Sequence, residues 1–226
     1  PLLTPDYTTF CRRQKGLQVP LPRRKIQEPL HIVVDSTGLK IFGEGEWKVR
    51  QHGWSKRRTW RKLHLGVDAS SGELVAAVLT TNDMGDGEIL PNLLDQVPDS
   101  IGQVSGDGGY DTWDCHEVIA QRGAKAAIPP KRTARIRQHG NSCNPPLSRD
   151  EALRQIRKLG RAAWKQESGY HRRSLAETAM GRIKGIFGNM LMARTFDNQA
   201  SEAFARCHAL NKMTFLGMPD SYLLQG

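Results

Sequence analysis

The order of strand and helix signals along the chain predicts an α/β fold, in which helices pack against a mixed sheet. Three strand signals come first, and helix and strand signals then alternate. Consecutive strands that form a meander pair antiparallel, whereas strand–helix–strand units give parallel pairs. Apolar residues make up 38% of the 226 residues, which is enough to build a core around such a sheet.

Five short apolar runs bounded by turn residues are typical of strands. They lie at residues 31–34, 62–68, 73–81, 102–105 and 124–128. A Ser-Ser-Gly turn joins the second run to the third, which predicts a hairpin. The sequence therefore predicts a five-stranded sheet that begins with antiparallel strands.

Helix signals fill most of the remaining chain. They lie at residues 4–15, 86–97, 112–122, 150–167, 171–187 and 198–216. Thr4 and Pro5 are typical of a helix start, and Gly123 is typical of a helix end. Residues 18–29 contain three prolines and few apolar groups, which predicts a linker.

These signals divide the chain into three parts. An N-terminal helix and linker occupy residues 1–29, one large domain occupies residues 30–219, and a tail follows at 220–226. Residues 131–149 are basic and contain Pro, Asn and Gly, so we interpret them as a loop inserted into the large domain. Because the chain begins with Pro1 rather than Met, we interpret it as a piece of a longer protein.

The charge of the chain predicts a polyanionic partner. Lys and Arg number 33 against 23 Asp and Glu, which gives a net charge of +10. The cations are clustered at residues 12–25, 47–64 and 131–137, and the second cluster also holds three Trp. Such patches suit contact with nucleic-acid phosphates and stacking on bases. The alternative is a solvated basic face with the Trp side chains packed beneath it.

Several protein classes are excluded by the sequence. No apolar run approaches the ~20 residues that a membrane-spanning helix needs. The four cysteines lie far apart and form no CxxC pair, so neither a disulfide framework nor a zinc site is expected. A reducing cytoplasm is the expected setting.

Two aspartates stand where predicted strands end. Asp35 directly follows an apolar run, and Asp107 follows another and precedes two glycines. A carboxylate at such a position leaves the core while its backbone stays fixed, and glycines allow a close approach by another group. The alternative for either residue alone is an ordinary turn, which Asp often begins.

The predicted helix at 171–187 aligns four functional side chains. Tyr170, Arg173, Glu177 and Lys184 are spaced by 3, 4 and 7 residues, which places them on one stripe of a helix. The opposite face is apolar and carries Leu175, Ala179, Ile183 and Ile186. The alternative is an ordinary amphipathic helix with an exposed ion-paired face, although Glu177 and Lys184 are too far apart for the usual i,i+4 pair.

Three carboxylates from two strand ends and one helix suit a pair of divalent cations. Mg²⁺ prefers a few carboxylates together with water and phosphate oxygens. Two such ions ~4 Å apart activate an attacking oxygen and stabilise a leaving oxygen in phosphodiester chemistry. The aligned phenol, guanidinium and ammonium would hold a phosphate backbone beside the metals.

These residues resemble a known family. The spacing Tyr-x2-Arg-x3-Glu-x6-Lys from Tyr170 to Lys184 matches that of the DDE transposases of bacterial insertion sequences, in the IS-five branch of the IS-four superfamily. The segments VVDSTGLK around Asp35 and GDGGYD around Asp107 are similar to the two aspartate blocks of that family. The resemblance covers nearly the whole chain, including WRKLHLGVD and ALNKMTFLGMP.

The resemblance implies an RNase H-like (retroviral integrase-like) fold with a five-stranded sheet and helices on both faces. It implies that Asp35, Asp107 and Glu177 are catalytic and bind Mg²⁺, with Mn²⁺ as a substitute. It also implies that Tyr170 and its partners contact double-stranded DNA. The expected DNA-binding residues are Tyr170, Arg173, Lys184, Lys56, Arg57, Arg58 and Arg61.

The activity implied is DNA transposition, with metal-dependent cleavage at the ends of an insertion sequence and transfer of the 3′-hydroxyl ends into target DNA. The expected DNA partners are the terminal inverted repeats and the target, bound by a homo-oligomer near the bacterial nucleoid. Family members usually have more chain upstream, so residues 1–29 are interpreted as the remnant of a longer N-terminal DNA-binding region. Two alternatives stay open: an inactive, truncated remnant that only binds DNA, and a nuclease that cuts without joining.

For two further groups of carboxylates, a structural role is favoured over a catalytic one. Asp68 ends the strand at 62–68 and is the main rival to the three chosen carboxylates, but we favour a role in the turn that follows. Asp111 and Asp114 lie beside Asp107, and we expect them to cap the helix at 112–122.

Overall fold

A computed structural model describes residues 4, 6–14, 17, 19–21, 29–42, 60–139 and 146–217. Its strands are β1 (Leu30–Ile41), β2 (Trp60–Asp68), β3 (Leu74–Thr81), β4 (Ile101–Ser105), β5 (Lys125–Ala127) and β6 (Met190–Leu191). Its helices are α1 (Tyr7–Gln14), α2 (Asp86–Asp95), α3 (Trp113–Gln121), α4 (Ser148–Leu159), α5 (Arg161–Glu167), α6 (Ser174–Phe187) and α7 (Phe196–Leu216). Short 3-10 helices occupy Gly108–Tyr110 and Tyr170–Arg173.

The sheet is mixed and has the strand order β3-β2-β1-β4-β5, with β6 paired to the far end of β1. The first three strands are antiparallel neighbours. Strands β4 and β6 pair parallel with β1, and β5 pairs parallel with β4. The predicted hairpin between β2 and β3 is therefore confirmed. The strand order, with helices on both faces, agrees with the RNase H-like fold that the resemblance implied.

Two apolar cores lie on opposite faces of this sheet. On one face, Leu90 and Leu94 of α2 and Ile119 of α3 pack against β1 and β4. On the other face, Ala176 and Ile183 of α6 and buried residues of α7 pack against β1, β2 and β3. Successive strand residues point to opposite faces, so β1 supplies Ile32 and Val34 to the first core and Val33 and Leu39 to the second.

Two predicted elements have clearly different bounds in the structure, and one short strand was not predicted. β1 continues to Ile41 instead of ending at residue 34, because the polar residues 35–38 pair with β2. The helix predicted at 150–167 breaks at Gly160, whose φ of 87° is not helical, and becomes α4 and α5. The two-residue strand β6 was not predicted, since so short a segment has no periodicity.

Asp68 has the turn role that we favoured. Its buried carboxylate accepts hydrogen bonds from the backbone N–H and the hydroxyl of both Ser70 and Ser71, with the two hydroxyls at 2.6 Å. These bonds hold the pKa of Asp68 below its ordinary value although burial alone would raise it. All of its acceptor capacity is thus directed into the β2–β3 turn.

Within the described residues, none of the helices combines the length and the apolar character needed to cross a membrane.

Candidate active site

Asp35 lies within β1 and on the face that α6 covers. It stands opposite Leu65 of β2, so it belongs to the interior of a paired strand and not to a strand end as predicted. Its side chain is 17% exposed, and its Oδ1 accepts a hydrogen bond of 2.8 Å from the Ser36 backbone N–H. The paired strand therefore fixes the backbone that presents this carboxylate.

Asp107 stands two residues after the last residue of β4, close to the predicted strand end. Its Oδ1 accepts a 2.8 Å hydrogen bond from the Gly109 backbone N–H and so begins the 3-10 turn at Gly108–Tyr110. A Cβ on Gly109 would lie 2.8 Å from that oxygen, and a Cβ on Gly106 would lie 2.9 Å from the ring of Tyr110. Gly106 is therefore required by the close approach of the Tyr110 ring, whereas a side chain at position 109 would displace the Asp107 carboxylate.

Glu177 lies in the first turn of α6 with its side chain 53% exposed. The apolar face of this helix, with Ala176, Ala179, Met180 and Ile183, is buried against the sheet as predicted. Tyr170 and Arg173 do not lie on the same α-helix, because a 3-10 helix precedes α6 and Gly169 before it has a φ of 67°. The predicted helical stripe is therefore broken at its first two members.

Arg173 nevertheless joins two of the three carboxylates. One guanidinium nitrogen lies 3.4 Å from Asp35 Oδ2, and the other contacts Glu177 Oε1 in an i,i+4 pair. Burial lowers the pKa of Arg173, but Tyr170, Glu177 and Asp35 together outweigh that effect and raise it above its ordinary value. The guanidinium therefore stays charged between the two carboxylates.

Tyr170 forms an aromatic platform beside these charges. Its ring packs at 6.3 Å from the buried Trp164, with Lys165 Nζ 5.0 Å and Arg173 Cζ 6.0 Å from the ring centroid. Burial raises the pKa of the phenol; Arg173 opposes the increase, and Asp107 and the other two carboxylates add to it. The phenol is therefore a neutral hydrogen-bond donor at ordinary pH.

The three predicted carboxylates are close enough to influence one another. Burial raises the pKa of Asp35, and the negative charges of Asp107 and Glu177 raise it further. The Ser36 N–H and Arg173 act in the opposite direction. Fold topology thus brings a carboxylate from the turn after β4 and one from α6 close enough to affect the carboxylate on β1, and Arg173 opposes their effect.

Asp35, Asp107 and Glu177 are the residue types that bind divalent cations, but their side chains do not converge on a single point. In the part of the chain that the structure describes, no three His, Cys, Asp or Glu side chains converge closely enough to ligate one ion. The guanidinium of Arg173 stands between two of the candidate ligands, Asp35 and Glu177. All of the donors are carboxylate oxygens, as Mg²⁺ and Mn²⁺ prefer. Burial is the main cause that raises the pKa of Asp35, and the negative charges of Asp107 and Glu177 add to it.

The remaining predicted DNA-binding residues are placed differently. Lys184 is half-buried near the end of α6, two turns beyond Glu177. Arg61 donates a 2.7 Å hydrogen bond to Gln199 and stacks 5.3 Å above the ring of Phe196, so its guanidinium holds β2 against α7. Lys56, Arg57 and Arg58 lie outside the described residues.

A polar cluster that the sequence did not reveal lies on the opposite face of the sheet from Asp35. Asp86, in the first turn of α2, pairs with Lys62 at 2.8 Å and lies 3.5 Å from the ring of His64. A Cβ on Gly109 would lie 3.6 Å from Asp86 Oδ2, so Asp86 and Asp107 flank the same glycine. The only sequence signal is an acidic residue at a helix start, which most helices share.

A buried ion-pair network was also missed. Asp111 does not cap α3 as predicted, because Thr112 has that role, with its hydroxyl accepting from the Cys115 N–H. Asp111 instead forms a two-bond pair with Arg149, at 2.6 and 2.9 Å, and lies 3.2 Å from His116. The pairing spans 38 residues, and no local pattern could have indicated it.

The chain is similar in structure to several solved transposition and integration proteins. One is the piggyBac transposase in a synaptic complex with hairpin DNA, with a TM-score of 0.48 and 12% identity over 93% of this chain and 49% of that one. Another is the simian T-cell lymphotropic virus intasome in complex with the PP2A regulatory subunit B56 gamma, with a TM-score of 0.35 and 15% identity over 85% of this chain and 54% of that one. A third is the catalytic core domain of BIV integrase, with a TM-score of 0.30 and 11% identity over 82% of this chain and 100% of that one. The chain spans about half the length of the first two.

The family comparison is based on sequence and covers most of the chain. A family model described as "Transposase DDE domain" matches residues 26–212, which include all three carboxylates. A second model with the same description matches residues 1–44. The chain belongs to the family of DDE transposase domains.

Proposed function

We propose that this chain is the catalytic domain of a transposase that cleaves the ends of an insertion sequence and joins their 3′-hydroxyls to target DNA. The observation that carries this proposal is that Arg173 joins Asp35 of β1 to Glu177 of α6, while Asp107, from the turn after β4, lies close enough for its charge to raise the pKa of Asp35. A purely structural set of carboxylates would be expected to be fully paired, as Asp68 and Asp111 are. Here one arginine serves both Asp35 and Glu177, the charges of Asp107 and Glu177 raise the pKa of Asp35, and all three side chains are at least partly exposed.

Asp35, Asp107 and Glu177 would hold the divalent cations, Mg²⁺ or Mn²⁺. When bound, such ions activate the attacking oxygen and stabilise the leaving oxygen of the phosphodiester. Arg173, released from the carboxylates, would bind a DNA phosphate through two parallel N–H bonds. Tyr170 would donate its phenolic hydrogen to the same backbone, and Lys184 would contact a phosphate further along α6.

The partners proposed with this activity are the terminal inverted repeats and the target duplex, bound by more than one copy of the chain. The net charge of +10 favours a polyanion, and the phosphate backbone supplies most of the affinity of proteins for DNA. The bacterial origin, the IS-five branch and a nucleoid location belong to the same proposal.

The test is a strand-transfer assay with the purified chain. A pre-nicked duplex that carries the inverted repeat flanking the coding region is incubated with plasmid target in Mg²⁺ and then in Mn²⁺. Wild type should join the duplex to the plasmid, and Glu177→Gln should give no product while DNA binding stays nearly unchanged. Glu117→Gln makes the same chemical change on the exposed face of α3 and should join as wild type does.

The outcomes separate the alternatives. Equal joining by wild type and Glu177→Gln contradicts the role of the carboxylates. Cleavage without joining indicates a nuclease. DNA binding with neither reaction indicates an inactive remnant or a domain that needs upstream chain, and restoring the upstream coding sequence decides between those two.

A further inference from the structure

A strongly basic segment runs beside the candidate active site. Residues 131–139, called the basic segment below, contain four Lys or Arg and no Asp or Glu. The side chains of Lys131, Arg132, Arg135 and Arg137 are exposed, although the segment has neither helix nor strand. Positive charges that lie close together along a chain repel one another, and such runs are often disordered. Specific contacts must therefore hold the basic segment against the domain.

Two buried carboxylates hold the ends of the basic segment by its backbone. Asp111 accepts a 2.8 Å hydrogen bond from the Lys131 N–H while it pairs with Arg149. Asp150, in the first turn of α4, accepts from the backbone N–H groups of Arg137 at 3.1 Å and Gln138 at 2.7 Å. Both carboxylates are fully buried, so their bonds are made in a low-dielectric setting where they are strong.

The anchors use backbone groups and leave the cationic side chains available. Within the described residues, Arg132 and Arg135 form no hydrogen bond and no ion pair. Arg137 stacks 5.2 Å above Trp113, whose ring also lies 4.6 Å from the Arg149 guanidinium. The segment is thus fixed at both ends with its central charges directed to solvent.

The basic segment begins beside Asp107. Strands β4 and β5 are parallel with Ser105 opposite Ala127, so Asp107 and Pro129 leave the sheet at the same edge. A Cβ on Gly108 would lie 3.7 Å from the Pro129 carbonyl oxygen. Arg161 of α5 donates a 2.9 Å hydrogen bond to the Pro130 carbonyl, and α5 continues towards the platform of Tyr170.

We propose that Arg132 and Arg135 bind the phosphate backbone of a DNA duplex that extends from the carboxylate site, and that Asp111 and Asp150 position them. This inference rests on the proposed function for the nature of the polyanion. Two exposed guanidinium groups on a segment anchored at both ends suit phosphate, because Arg offers paired N–H donors that match phosphate oxygens. Because the proposed contact is made to phosphates and not to base edges, it does not depend on the DNA sequence.

The experiment compares two double variants of the full chain by fluorescence anisotropy with a labelled DNA duplex over a range of salt concentrations. Arg132→Gln/Arg135→Gln should weaken binding roughly tenfold and reduce the slope of log K against log salt by about 2, since each lost phosphate contact removes about 0.9. Lys125→Gln/Lys212→Gln removes the same charge from exposed positions at the start of β5 and on α7. It should leave the slope unchanged.

An anchoring variant tests the second half of the inference. Asp150→Asn retains one acceptor oxygen for the two backbone N–H groups, and it should reduce the salt slope although both arginines remain. Circular dichroism checks that the variant is folded at the assay temperature. A folded Asp150→Asn with the wild-type slope overturns the anchoring role of that carboxylate.

The results also separate this inference from the proposed function. If wild type binds DNA and the arginine double variant has the same affinity and slope, the inference is wrong while the proposed function stands. If the lysine double variant loses as much as the arginine variant, only net charge matters and the inference is again wrong. If wild type binds no duplex in low salt, the proposed function itself fails.

Discussion

The guanidinium of Arg173 lies 3.4 Å from the carboxylate of Asp35, although 138 residues separate them in the chain. The same guanidinium contacts Glu177 one helical turn away. Arg173 thus takes the position between two carboxylates that a divalent cation would need, and it supplies part of the positive charge. In the proposed function, a cation bound between the two carboxylates would free the guanidinium, so metal binding would be coupled to the proposed contact of Arg173 with DNA.

Replacing Arg173 should therefore make the protein more dependent on divalent cations. In Arg173→Gln the half-buried Asp35 loses its ion pair while Asp107 and Glu177 still repel it, so the free energy of unfolding should fall by about 1 to 2 kcal/mol. Added Mg²⁺ should raise the melting temperature of this variant more than that of wild type. Differential scanning calorimetry with and without Mg²⁺ measures both effects.

Arg172→Gln is the matched control, because Arg172 is the exposed neighbour in the same 3-10 helix. Its melting temperature and its response to Mg²⁺ should resemble those of wild type. A variant at Arg173 that loses no stability, or that Mg²⁺ does not stabilise beyond wild type, would show that the arginine does not compensate the carboxylates.

Two adjacent glycines should differ in their tolerance of a methyl group. In Gly109→Ala the new Cβ would lie 2.8 Å from Asp107 Oδ1, so the carboxylate must move. A misplacement of about 1 Å near reacting atoms can lower a rate by about 100-fold, and we expect strand transfer to fall by that order. In Gly108→Ala the nearest atom is 3.7 Å away, and activity should be nearly retained.

Both glycine variants should have similar thermal stability, because the clash in Gly109→Ala involves the end of a side chain that can rotate. Strand-transfer rates and melting curves, measured together, check the pair. Equal rates for the two variants would mean that the direction of the Asp107 side chain does not limit the reaction.

Stability should fall between neutral and mildly acidic pH because of His64. Burial lowers the pKa of His64 from 6.5 to about 4, with Lys62 acting in the same direction and Asp86 opposing it. A group whose folded pKa is lowered stabilises the fold above its unfolded pKa and loses that contribution as pH falls towards the folded pKa. The loss should therefore occur from pH 6.5 down to about 4 and reach about 3 kcal/mol, at about 1.4 kcal/mol per unit.

Urea unfolding midpoints at several pH values measure this dependence. His64→Gln keeps a neutral hydrogen-bonding side chain near Thr80, which lies 3.0 Å from the imidazole Nε2, but it cannot be protonated. Its stability should vary less than that of wild type between pH 6.5 and 4. Parallel pH profiles for the two proteins would contradict the assignment. Below pH 4, protonation of Asp111 adds a further loss in both, since its pKa lies well below the usual range.

The fold could be predicted further than the geometry of the site. Short apolar runs and turn residues located the five longer strands, and the stripe on residues 174–187 correctly oriented α6. The C-terminal part of β1 was not predicted, because Ser36 and Thr37 interrupt the apolar pattern. The pairing of β1 with β2 nevertheless continues through these two residues. Strand pairing is a tertiary interaction, and the local pattern of one strand does not record it.

The same limit explains what was missed around the site. Asp35, Asp107 and Glu177 could be chosen from the sequence because each stands in a recognisable local motif, and their catalytic role stays a prediction. The positions of Arg173 between two carboxylates and of Asp111 against Arg149 depend on contacts across 138 and 38 residues. A 3-10 helix in place of the first helical turn also changed the direction of Tyr170, and only Gly169 before it indicated such a break.

The outer edge of the sheet depends on an amide from α7. The buried Asn211 accepts a 2.7 Å hydrogen bond from the Leu74 N–H and donates one of 2.7 Å to the Leu74 carbonyl, which completes the pairing of edge strand β3. Asn211→Asp keeps the shape but replaces the donor by a buried negative charge facing a carbonyl. The free energy of unfolding should fall by about 2 to 4 kcal/mol, with faster hydrogen exchange at the Leu74 amide.

Asn189→Asp makes the same substitution at an exposed position between α6 and β6, and it should change stability by less than about 0.5 kcal/mol. Urea unfolding at pH 7 compares the two variants, and hydrogen exchange locates the effect in β3. An unfilled strand edge can also pair with another copy of the chain, so Asn211→Asp should aggregate sooner on heating. Equal unfolding midpoints for the two variants would mean that α7 holds β3 through its apolar contacts alone.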